Sequence, residues 1–442
     1  MAVHYVIEGG TAREISAAVE REVAAERLAP GDSLPPVRRL AEELGVGAGT
    51  VAAAYRELRQ RGIVMTRGRA GTVVAHAPAV GSRRPPKVPE GIRDLAGGHP
   101  DPAFLPVLHP PERWGPVPGS HRAAPGLPEL TEYAGRWFAR DGVPADRIGF
   151  AHGALDCVSR LLTAELRPGD AVAVEDPGFH HLLDLVPALG LRMLPVAVDD
   201  EGMRPEALRT ALRGGARAVV CSPRGQSPTG ARLTADRRAD LLGVLRPHPG
   251  VLVVEDDHNA DVADLPGTPA HCLADAGLER WAQVRTVSKH LGIDLRWAAI
   301  AGDETTVARH EGRMLVTSGW VSHVLQETVL RALRDRATAD LVADAARAYA
   351  GRRAALLDAL ARHGVSARGA SGLNVWVPVW DESAVVGGLR SRGWWVAAGA
   401  RFRVATGPAV RITTAGLLPA EAERLAADLA AVREESAATY GG

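Results

Sequence analysis

Short apolar runs alternate with helical patterns from residue 150 onward, and this alternation constrains the fold more than any other feature of the chain. Helix-like stretches such as Thr234–Leu245 separate several of the runs, which we interpret as strands. The predicted strands are Ala171–Glu175, Leu191–Val198, Ala216–Cys221, Val251–Glu255, Gln283–Val287 and Trp297–Gly302. Alternation of this kind is typical of an α/β fold, in which a mostly parallel sheet carries helices on both faces.

Polar residues follow several of these predicted strands directly. Asp176, Ser222, the segment Asp256–His258 and Lys289 each come just after a strand. Ligands of open α/β sheets bind beyond the carboxyl ends of the strands. The sequence therefore predicts a ligand site at this edge of the sheet.

Lysine is nearly absent from the chain, because only Lys87 and Lys289 among its 52 basic residues are lysines. Arginine stays protonated, whereas a lysine amine can lose its proton and form a Schiff base with an aldehyde. Lys87 lies among prolines and is interpreted as a solvated linker charge. Lys289 follows a predicted strand, so it is the candidate for binding an aldehyde cofactor.

Such a cofactor also needs an acid for its ring nitrogen, a phosphate cradle and a flat face to stack on. Asp256, which lies 33 residues before Lys289, is the candidate acid. Gly153 and Ala154 open a predicted helix whose free amides can bind phosphate. The remaining candidates are Thr286 and Arg296 for the phosphate and Phe179 for the ring face, and Ser288 is a further candidate cofactor contact. A Ser-Lys pair after a strand usually has no special role, so only the combination favours cofactor binding.

The first 75 residues follow a different pattern. Helices are predicted over Thr11–Glu26, Val37–Leu44 and Gly49–Gly62, and two short strands follow them. Seven arginines accompany three carboxylates between residues 33 and 75, although the net charge of the whole chain is zero. A helix-turn-helix followed by an arginine-tipped hairpin is typical of winged-helix DNA binding. Plain helical packing is the alternative interpretation of the helices alone.

A chain of 442 residues is too long for one ordinary domain. We predict a DNA-binding domain over 1–75, a proline-rich linker over 76–93, a large α/β domain over 94–335 and a small α+β domain over 336–442. The linker is expected to act as a semi-extended spacer. The predicted elements of the small domain are the helix Ala337–His363, the strands Leu373–Val377 and Ala409–Thr413, and the helix Pro419–Arg433.

The sequence also predicts the cellular compartment of the protein. Three widely spaced cysteines predict reduced thiols in a cytosolic protein. No signal peptide is recognised, and no apolar run approaches the ~18 residues that span a bilayer. We therefore expect a cytoplasmic protein with no membrane partner. His180 and His181 lack further ligands at zinc spacing, so no metal is expected.

The N-terminal segment resembles the winged helix-turn-helix of the GntR family in the residues Arg27–Arg38, Leu40-Ala41, Leu44–Val46, Thr50-Val51 and Tyr55–Leu58. The resemblance implies that this domain binds double-stranded operator DNA. The residues it would place at the DNA are Arg38, Thr50 and the wing residues Arg67, Arg69 and Gly71. Gly47 and Ala48 depart from the family, which has serine and arginine at these positions. The lost arginine removes a contact worth roughly 1–3 kcal/mol if it reads a base.

The C-terminal part resembles the fold type I aminotransferases that use pyridoxal 5'-phosphate (PLP), on Lys289, Asp256 and Pro228-Thr229-Gly230. The resemblance implies that Lys289 forms the Schiff base with PLP and that Asp256 pairs with the pyridine nitrogen. It also implies that Arg411 anchors a ligand carboxylate. Together with the N-terminal segment, the whole chain resembles the MocR subfamily of GntR-family regulators.

Two residues of the predicted cofactor site depart from the aminotransferase pattern. Ser227 and His258 stand where the family commonly has the asparagine and the tyrosine that contact the phenolic oxygen of PLP. Hydrogen bonds to that oxygen stabilise its ionised form, so they adjust the pKa of the Schiff base. Histidine can still donate a hydrogen bond, and the change therefore disfavours efficient turnover more than binding.

Three functions remain open at this point. The first is a transcriptional regulator, not an enzyme, that senses a small amine, an amino acid or PLP itself. Such a regulator could retain the half-reaction of a transaminase as a residual activity. The second is an active aminotransferase with an accessory DNA-binding domain, and the third is a DNA-binding scaffold whose cofactor site is vestigial. Because fold type I domains are generally dimers, the resemblance implies a homodimer that reads two half-sites.

Overall fold

The computed structural model describes residues 6–24, 27–29, 31–60, 63–66, 71–74, 87–108, 125–274 and 276–440 of the chain. The chain groups into two compact units. One comprises Met1–Pro86, Arg167–Asp170 and Asp184–Met193, and the other comprises Lys87–Leu166, Ala171–Leu183 and Leu194–Gly442. Of the predicted linker, residues 76–86 lie outside the described residues.

Three helices and a two-stranded sheet make up the N-terminal elements. They are α1 (Ala12–Ala24), α2 (Val37–Leu44), α3 (Ala48–Gln60), β1 (Val64–Thr66) and β2 (Thr72–Val74). The two strands pair antiparallel. Ile15 and Val19 are both fully buried, because residues four apart lie on one face of a helix. The predicted helix-turn-helix and hairpin are confirmed, and α2 has the predicted bounds.

The large domain alternates strands and helices. Its strands are β3 (Arg93–Asp94), β4 (Ile148–Ala151), β5 (Ala171–Asp176), β6 (Arg192–Asp199), β7 (Gly202–Met203), β8 (Ala216–Cys221), β9 (Leu252–Asp257), β10 (Trp281–Thr286) and β11 (Ala298–Gly302). Its helices are α4 (Pro128–Ala139), α5 (Ala154–Glu165), α6 (His180–Ala188), α7 (Pro205–Arg213), α8 (Ala235–Leu245), α9 (Glu304–Leu315) and α10 (His323–Arg334).

The central sheet has eight strands in the order β4-β11-β10-β9-β8-β5-β6-β7. The pairs β10–β9, β9–β8 and β8–β5 are parallel, whereas β11 runs antiparallel to both of its neighbours. Every residue of β5, β9 and β10 is buried, as is typical of parallel strands that have helices on both faces of the sheet. The predicted α/β fold is confirmed, but the central sheet is mixed rather than mostly parallel, since β10–β11, β11–β4 and β6–β7 pair antiparallel.

The small domain contains α11 (Arg336–Arg362), β12 (Asn374–Pro378), α12 (Glu382–Ser391), β13 (Trp394–Trp395), β14 (Ala397–Ala398), β15 (Ala409–Thr413) and α13 (Pro419–Tyr440). Strands β12, β15 and β14 form an antiparallel sheet in that order, and β13 pairs in parallel with β3. The predicted elements are confirmed. The last helix is seven residues longer than predicted, because its final turns consist largely of alanine and glutamate, which favour helix.

Two strands of the central sheet escaped prediction. β4 has only four residues, one of them a glycine, and β7 has two. Runs this short carry no measurable periodicity, so only pairing with a neighbouring strand defines them. None of the described helices combines the length and the apolar character needed to cross a bilayer.

Candidate functional site

Lys289 lies in the turn that follows β10. Its Nζ atom donates a hydrogen bond to the backbone oxygen of Gly98 at 2.7 Å. Burial and the positive charge of Arg411 lower the pKa of Lys289 to about 8, although the carboxylate of Asp256 opposes the shift. A larger fraction of this amine is therefore neutral near pH 7 than for an ordinary lysine, as nucleophilic attack on an aldehyde requires.

Asp256 lies in β9, which pairs in parallel with β10. Its Oδ1 atom is buried and has no hydrogen-bond partner among the described residues, and its Oδ2 atom lies 3.6 Å from Nδ1 of His258. Burial raises the pKa of Asp256, while the charges of His258 and Lys289 lower it. A buried carboxylate oxygen without a donor is costly, and a protonated ring nitrogen would satisfy it.

Gly153 and Arg296 meet at the start of α5. Gly153 is the N-cap residue with a φ of 97°. A Cβ atom at this position would lie 2.3 Å from Nη2 of Arg296, so the guanidinium reaches the helix N-terminus only because residue 153 is glycine. Ala154 is the first residue of the helix. A guanidinium beside a helix N-terminus is suited to a phosphate group.

Two other predicted cofactor contacts, Thr286 and Ser288, are hydroxyl residues close to the lysine in the chain. Oγ1 of Thr286 lies 3.0 Å from Oγ of Ser288 and donates to the backbone oxygen of Trp297 at 2.9 Å. Both side chains are buried. The sequence neighbour of Trp297 is Arg296, so these contacts bring the lysine turn toward the predicted cradle.

Phe179 and His258 form a parallel ring pair. Their ring centres are 6.2 Å apart and the ring planes differ by 19°. Nδ1 of His258 also lies 3.3 Å from the backbone oxygen of Asp256. The structure thus brings together the predicted stacking face, the predicted phenolic-oxygen partner and the predicted acid. Ser227 is buried at the turn that precedes Pro228.

Arg411 lies in β15 and is buried. It donates through Nη2 to the backbone oxygen of Ala96, and its guanidinium carbon lies 4.4 Å from the ring centre of Phe402. Its Nε atom has no hydrogen-bond partner within the described part of the chain. Burial and the charge of Arg401 lower the pKa of Arg411 to about 9. A desolvated guanidinium with an unused donor is suited to a carboxylate.

Several residues around Lys289 were not predicted. His180 is mostly buried, and burial lowers its pKa to about 3, so its ring is neutral at pH 7. Glu175 is buried at the end of β5 and accepts hydrogen bonds from the Ser222 amide and from Nε2 of Gln226, both at 3.2 Å. Burial raises the pKa of Glu175 to about 8. Sequence position alone carries no signal of these environments.

Asp257, next to Asp256, belongs to a buried ionic cluster. Oδ1 and Oδ2 of Asp257 accept hydrogen bonds from Arg224 at 2.9 and 2.8 Å, and Arg285 donates to Oδ2 at 3.1 Å. Both arginines also donate to Asp141 at 2.6 Å. Successive side chains of a strand point to opposite faces of the sheet, so Asp256 and Asp257 serve different surroundings.

The predicted DNA-contacting residues are described only in part. Arg38 is exposed on α2, Thr50 is partly exposed on α3, and Gly71 is exposed just before β2. Arg67 and Arg69 lie outside the described residues. No group of three or more histidine, cysteine or acidic residues in the described ranges is arranged to hold a metal ion.

Two structural features indicate that these residues are suited to bind PLP. The partnerless Oδ1 atom of Asp256 matches a protonated pyridine nitrogen. The guanidinium that occupies the space above Gly153 matches a phosphate. Lys289, with its lowered pKa, supplies the amine.

Comparison with known proteins places both parts of the chain. Residues 123–429 match the family "Aminotransferase class I and II", and residues 11–74 match "Bacterial regulatory proteins, gntR family". The kynurenine aminotransferase of Pyrococcus horikoshii, solved with pyridoxamine phosphate, has a TM-score of 0.69 at 22% identity, and the match covers 78% of this chain and 91% of that one. The class is therefore a winged helix joined to a fold type I aminotransferase-like domain.

Relatives of this chain are named as transcriptional regulators. The vitamin B6 salvage pathway transcriptional repressor PtsJ of Salmonella typhimurium is 40% identical, over 96% of this chain and 99% of the repressor. The pyridoxine biosynthesis transcriptional regulator PdxR of Corynebacterium glutamicum is 30% identical, over 59% of this chain and 60% of that protein. The chain belongs to the MocR subfamily of GntR-family regulators. These relatives favour a regulator over an aminotransferase, as predicted.

Proposed function

We propose that this chain is a transcriptional regulator that binds PLP as a Schiff base at Lys289 and adjusts its binding to operator DNA accordingly. PLP would supply an aldehyde with which the neutral amine of Lys289 could condense, with loss of water. Asp256 holds the proton of the ring nitrogen, while Gly153, Ala154, Thr286, Ser288 and Arg296 hold the phosphate. Phe179, Ser227 and His258 contact the ring.

The strongest support for the proposal is the pairing of Lys289 with Asp256. The lysine amine, whose pKa is lowered to about 8, lies within electrostatic reach of a buried carboxylate that has no donor on Oδ1 among the described residues. A purely structural sheet edge gives no reason to bury an unsatisfied acid next to a reactive amine. This also weighs against a vestigial site.

The effector that we favour is PLP itself or a related vitamin B6 form. Support comes from the relative that aligns over nearly the whole chain, which is named as a transcriptional repressor of the vitamin B6 salvage pathway. An amino acid or another small amine is the second candidate, because Arg411 retains a buried, unused Nε donor within the described region. We further propose that the regulator acts in the cytoplasm as a homodimer on two half-sites, since operator symmetry mirrors protein symmetry.

The proposal is tested by titrating the purified protein with PLP while following two signals. A visible absorption band should appear as the Schiff base forms, and the affinity for DNA from the region upstream of its own gene should change over the same PLP range. Repeated turnover of an amino donor and a keto acid, without any change in DNA binding, would instead support the aminotransferase. A band without any effect on DNA would contradict the sensing role.

The pH dependence of PLP loading follows from the pKa of Lys289. Only the neutral amine attacks the aldehyde, and burial and Arg411 lower its pKa to about 8. The loading rate should therefore rise with pH and level off near pH 8, well below the ~10.4 of a free lysine. Stopped-flow absorbance from pH 6 to 10 measures this profile. In Arg411→Gln the plateau should move to higher pH, and a wild-type rate that still climbs above pH 9 would contradict the assignment.

Arg38→Ala should weaken DNA binding and leave the cofactor band intact. Arg38 is exposed on α2, and loss of one phosphate contact should lower the slope of log affinity against log salt by about one. Arg213→Ala, an exposed arginine on α7, is the matched control and should change neither signal. Simultaneous loss of DNA binding and of the band in Arg38→Ala would refute the separation of the two functions.

A further inference from the structure

The segment Leu95–His99, called the strap here, begins two positions after the last residue of the predicted linker, Arg93. Its backbone is bound to the small domain. The amide of Leu95 donates to the backbone oxygen of Trp395 at 2.8 Å, and the amide of Thr413 donates to the backbone oxygen of Leu95 at 2.8 Å. The amide of Gly98 donates to Oγ1 of Thr413 at 2.9 Å. These contacts make the strap an extra edge of the small domain.

The strap also accepts hydrogen bonds from the two side chains that are proposed to bind a ligand, Lys289 and Arg411. The backbone oxygen of Gly98 accepts the hydrogen bond from Nζ of Lys289, which lies in the large domain. The backbone oxygen of Ala96 accepts from Nη2 of Arg411. Gly98 has a φ of 67°, and a Cβ atom there would lie 3.1 Å from both Nη1 and Nη2 of Arg411. A ligand that binds Nζ of Lys289 or Nη2 of Arg411 must therefore compete with the strap.

We propose that the strap is a latch that transmits ligand occupancy at Lys289 and Arg411 to the linker, and through it to the DNA-binding domain. This inference rests on the proposed function. A free lysine amine offers its hydrogens to Gly98, but condensation with an aldehyde replaces two of them by a double bond to carbon. A carboxylate that pairs with Arg411 likewise draws the guanidinium from Ala96.

Either event removes a bond that ties the strap to the ligand site, whereas the bonds to Trp395 and Thr413 remain. The strap then moves with the small domain and no longer with Lys289. Asp94 joins the strap to the predicted linker, so displacement of the strap also displaces the point from which the chain continues toward the winged helix. Two discrete arrangements of one element, each favoured by a different ligand state, are what allosteric coupling requires.

The latch is tested first without any PLP. Lys289→Ala removes the donor to Gly98, so hydrogen exchange of the peptide that covers residues 95–100 should accelerate about tenfold, the loss expected for one charge-assisted hydrogen bond. Lys87→Ala removes the other lysine of the chain and should leave this exchange unchanged. Unaltered exchange in Lys289→Ala would overturn the latch, whether or not PLP binds to the wild-type protein.

A pair of glycine variants then tests the coupling to DNA. Gly98→Ala pushes against Arg411, whereas Gly91→Ala has a similar positive φ of 80° but no described atom within 4 Å of its Cβ. In the wild type and Gly91→Ala, PLP should change DNA affinity about fivefold or more, the usual scale of allosteric coupling, and in Gly98→Ala by less than about twofold.

The absorption band separates the latch from the proposed function on which it rests. If the wild type forms no band, the proposed function fails, and the exchange experiment still decides the contact between Lys289 and Gly98. If Gly98→Ala forms the band and responds on DNA like Gly91→Ala, the latch is wrong and the PLP-binding regulator stands. If Gly98→Ala forms no band, the accelerated exchange in Lys289→Ala supports the latch and unchanged exchange rejects it.

Discussion

Lys289→Ala should abolish the visible absorption band that the protein acquires with PLP, and borohydride should then leave no PLP adduct on the chain. Alanine has no side-chain amine, and the other lysine, Lys87, is an exposed residue within the predicted linker. Arginine does not replace it, because a guanidinium stays protonated and is a poor nucleophile. Absorbance and the mass of the peptide that contains residue 289 measure the effect.

Lys87→Ala is the matched control for this loss. It removes the same functional group at an exposed position and should keep both the band and the adduct. An adduct that persists in Lys289→Ala would place the reactive amine elsewhere and would end the sensing proposal. Retained DNA binding in Lys289→Ala without PLP would show that the winged helix remains folded.

Asp256→Asn and Asp257→Asn should have opposite consequences although the two residues are neighbours in β9. Burial raises the pKa of Asp256, so its ionised form opposes folding in the absence of PLP. Asparagine removes that charge, and the unloaded protein should be at least as stable as the wild type. PLP affinity should fall by at least about 30-fold, because a buried charge pair loses one partner.

Asp257→Asn should instead destabilise the fold. Burial alone would raise the pKa of Asp257, but the charges of Arg224 and Arg285 outweigh it and lower the pKa. Removing this carboxylate leaves the two buried arginines to share Asp141, at a cost of about 3–5 kcal/mol in the free energy of unfolding. Thermal or urea unfolding with and without PLP distinguishes the two variants.

The pH dependence of stability is a second measurement that distinguishes Asp256→Asn from Asp257→Asn. A carboxylate whose pKa is lowered by folding stabilises the fold at pH values above its pKa in the unfolded chain, which is ~4. This contribution to the free energy of unfolding is lost as the pH falls through the pKa in the folded chain. A pKa raised by folding has the opposite effect on stability, so ionisation of Asp256 lowers the free energy of unfolding as the pH rises. Acid should therefore narrow the stability gap between the wild type and Asp257→Asn. An equal gap at pH 7 and pH 3 would contradict the ionic origin of the effect.

The predictions from sequence succeeded where the signal is local. The strand Ala216–Cys221 and the helix Val37–Leu44 have the predicted bounds, because apolar periodicity and flanking glycine or proline residues define them within a few positions. The strand-end rule likewise directed attention to Asp256 and Lys289, which the parallel strands β9 and β10 bring to one edge.

The contacts that escaped prediction join residues far apart in the chain. Gly98 meets Lys289 across 191 positions, and Arg224 meets Asp141 across 83. No periodicity or spacing relates such pairs. Burial also decides their chemistry, since the pKa of Glu175 rises to about 8 only because the folded chain excludes water from the end of β5.

The sequence by itself determined the two-part organisation, the α/β class and the lysine on which the proposal depends, because these follow from local patterns and from the rarity of lysine. Only the tertiary structure decided that one strap of backbone covers both Lys289 and Arg411, and that Asp256 and Asp257 face different surroundings. The reason is physical. Helix and strand formation depends on near neighbours in the chain, whereas desolvation and pairing of charges depend on which distant segments the packed sheet brings into contact.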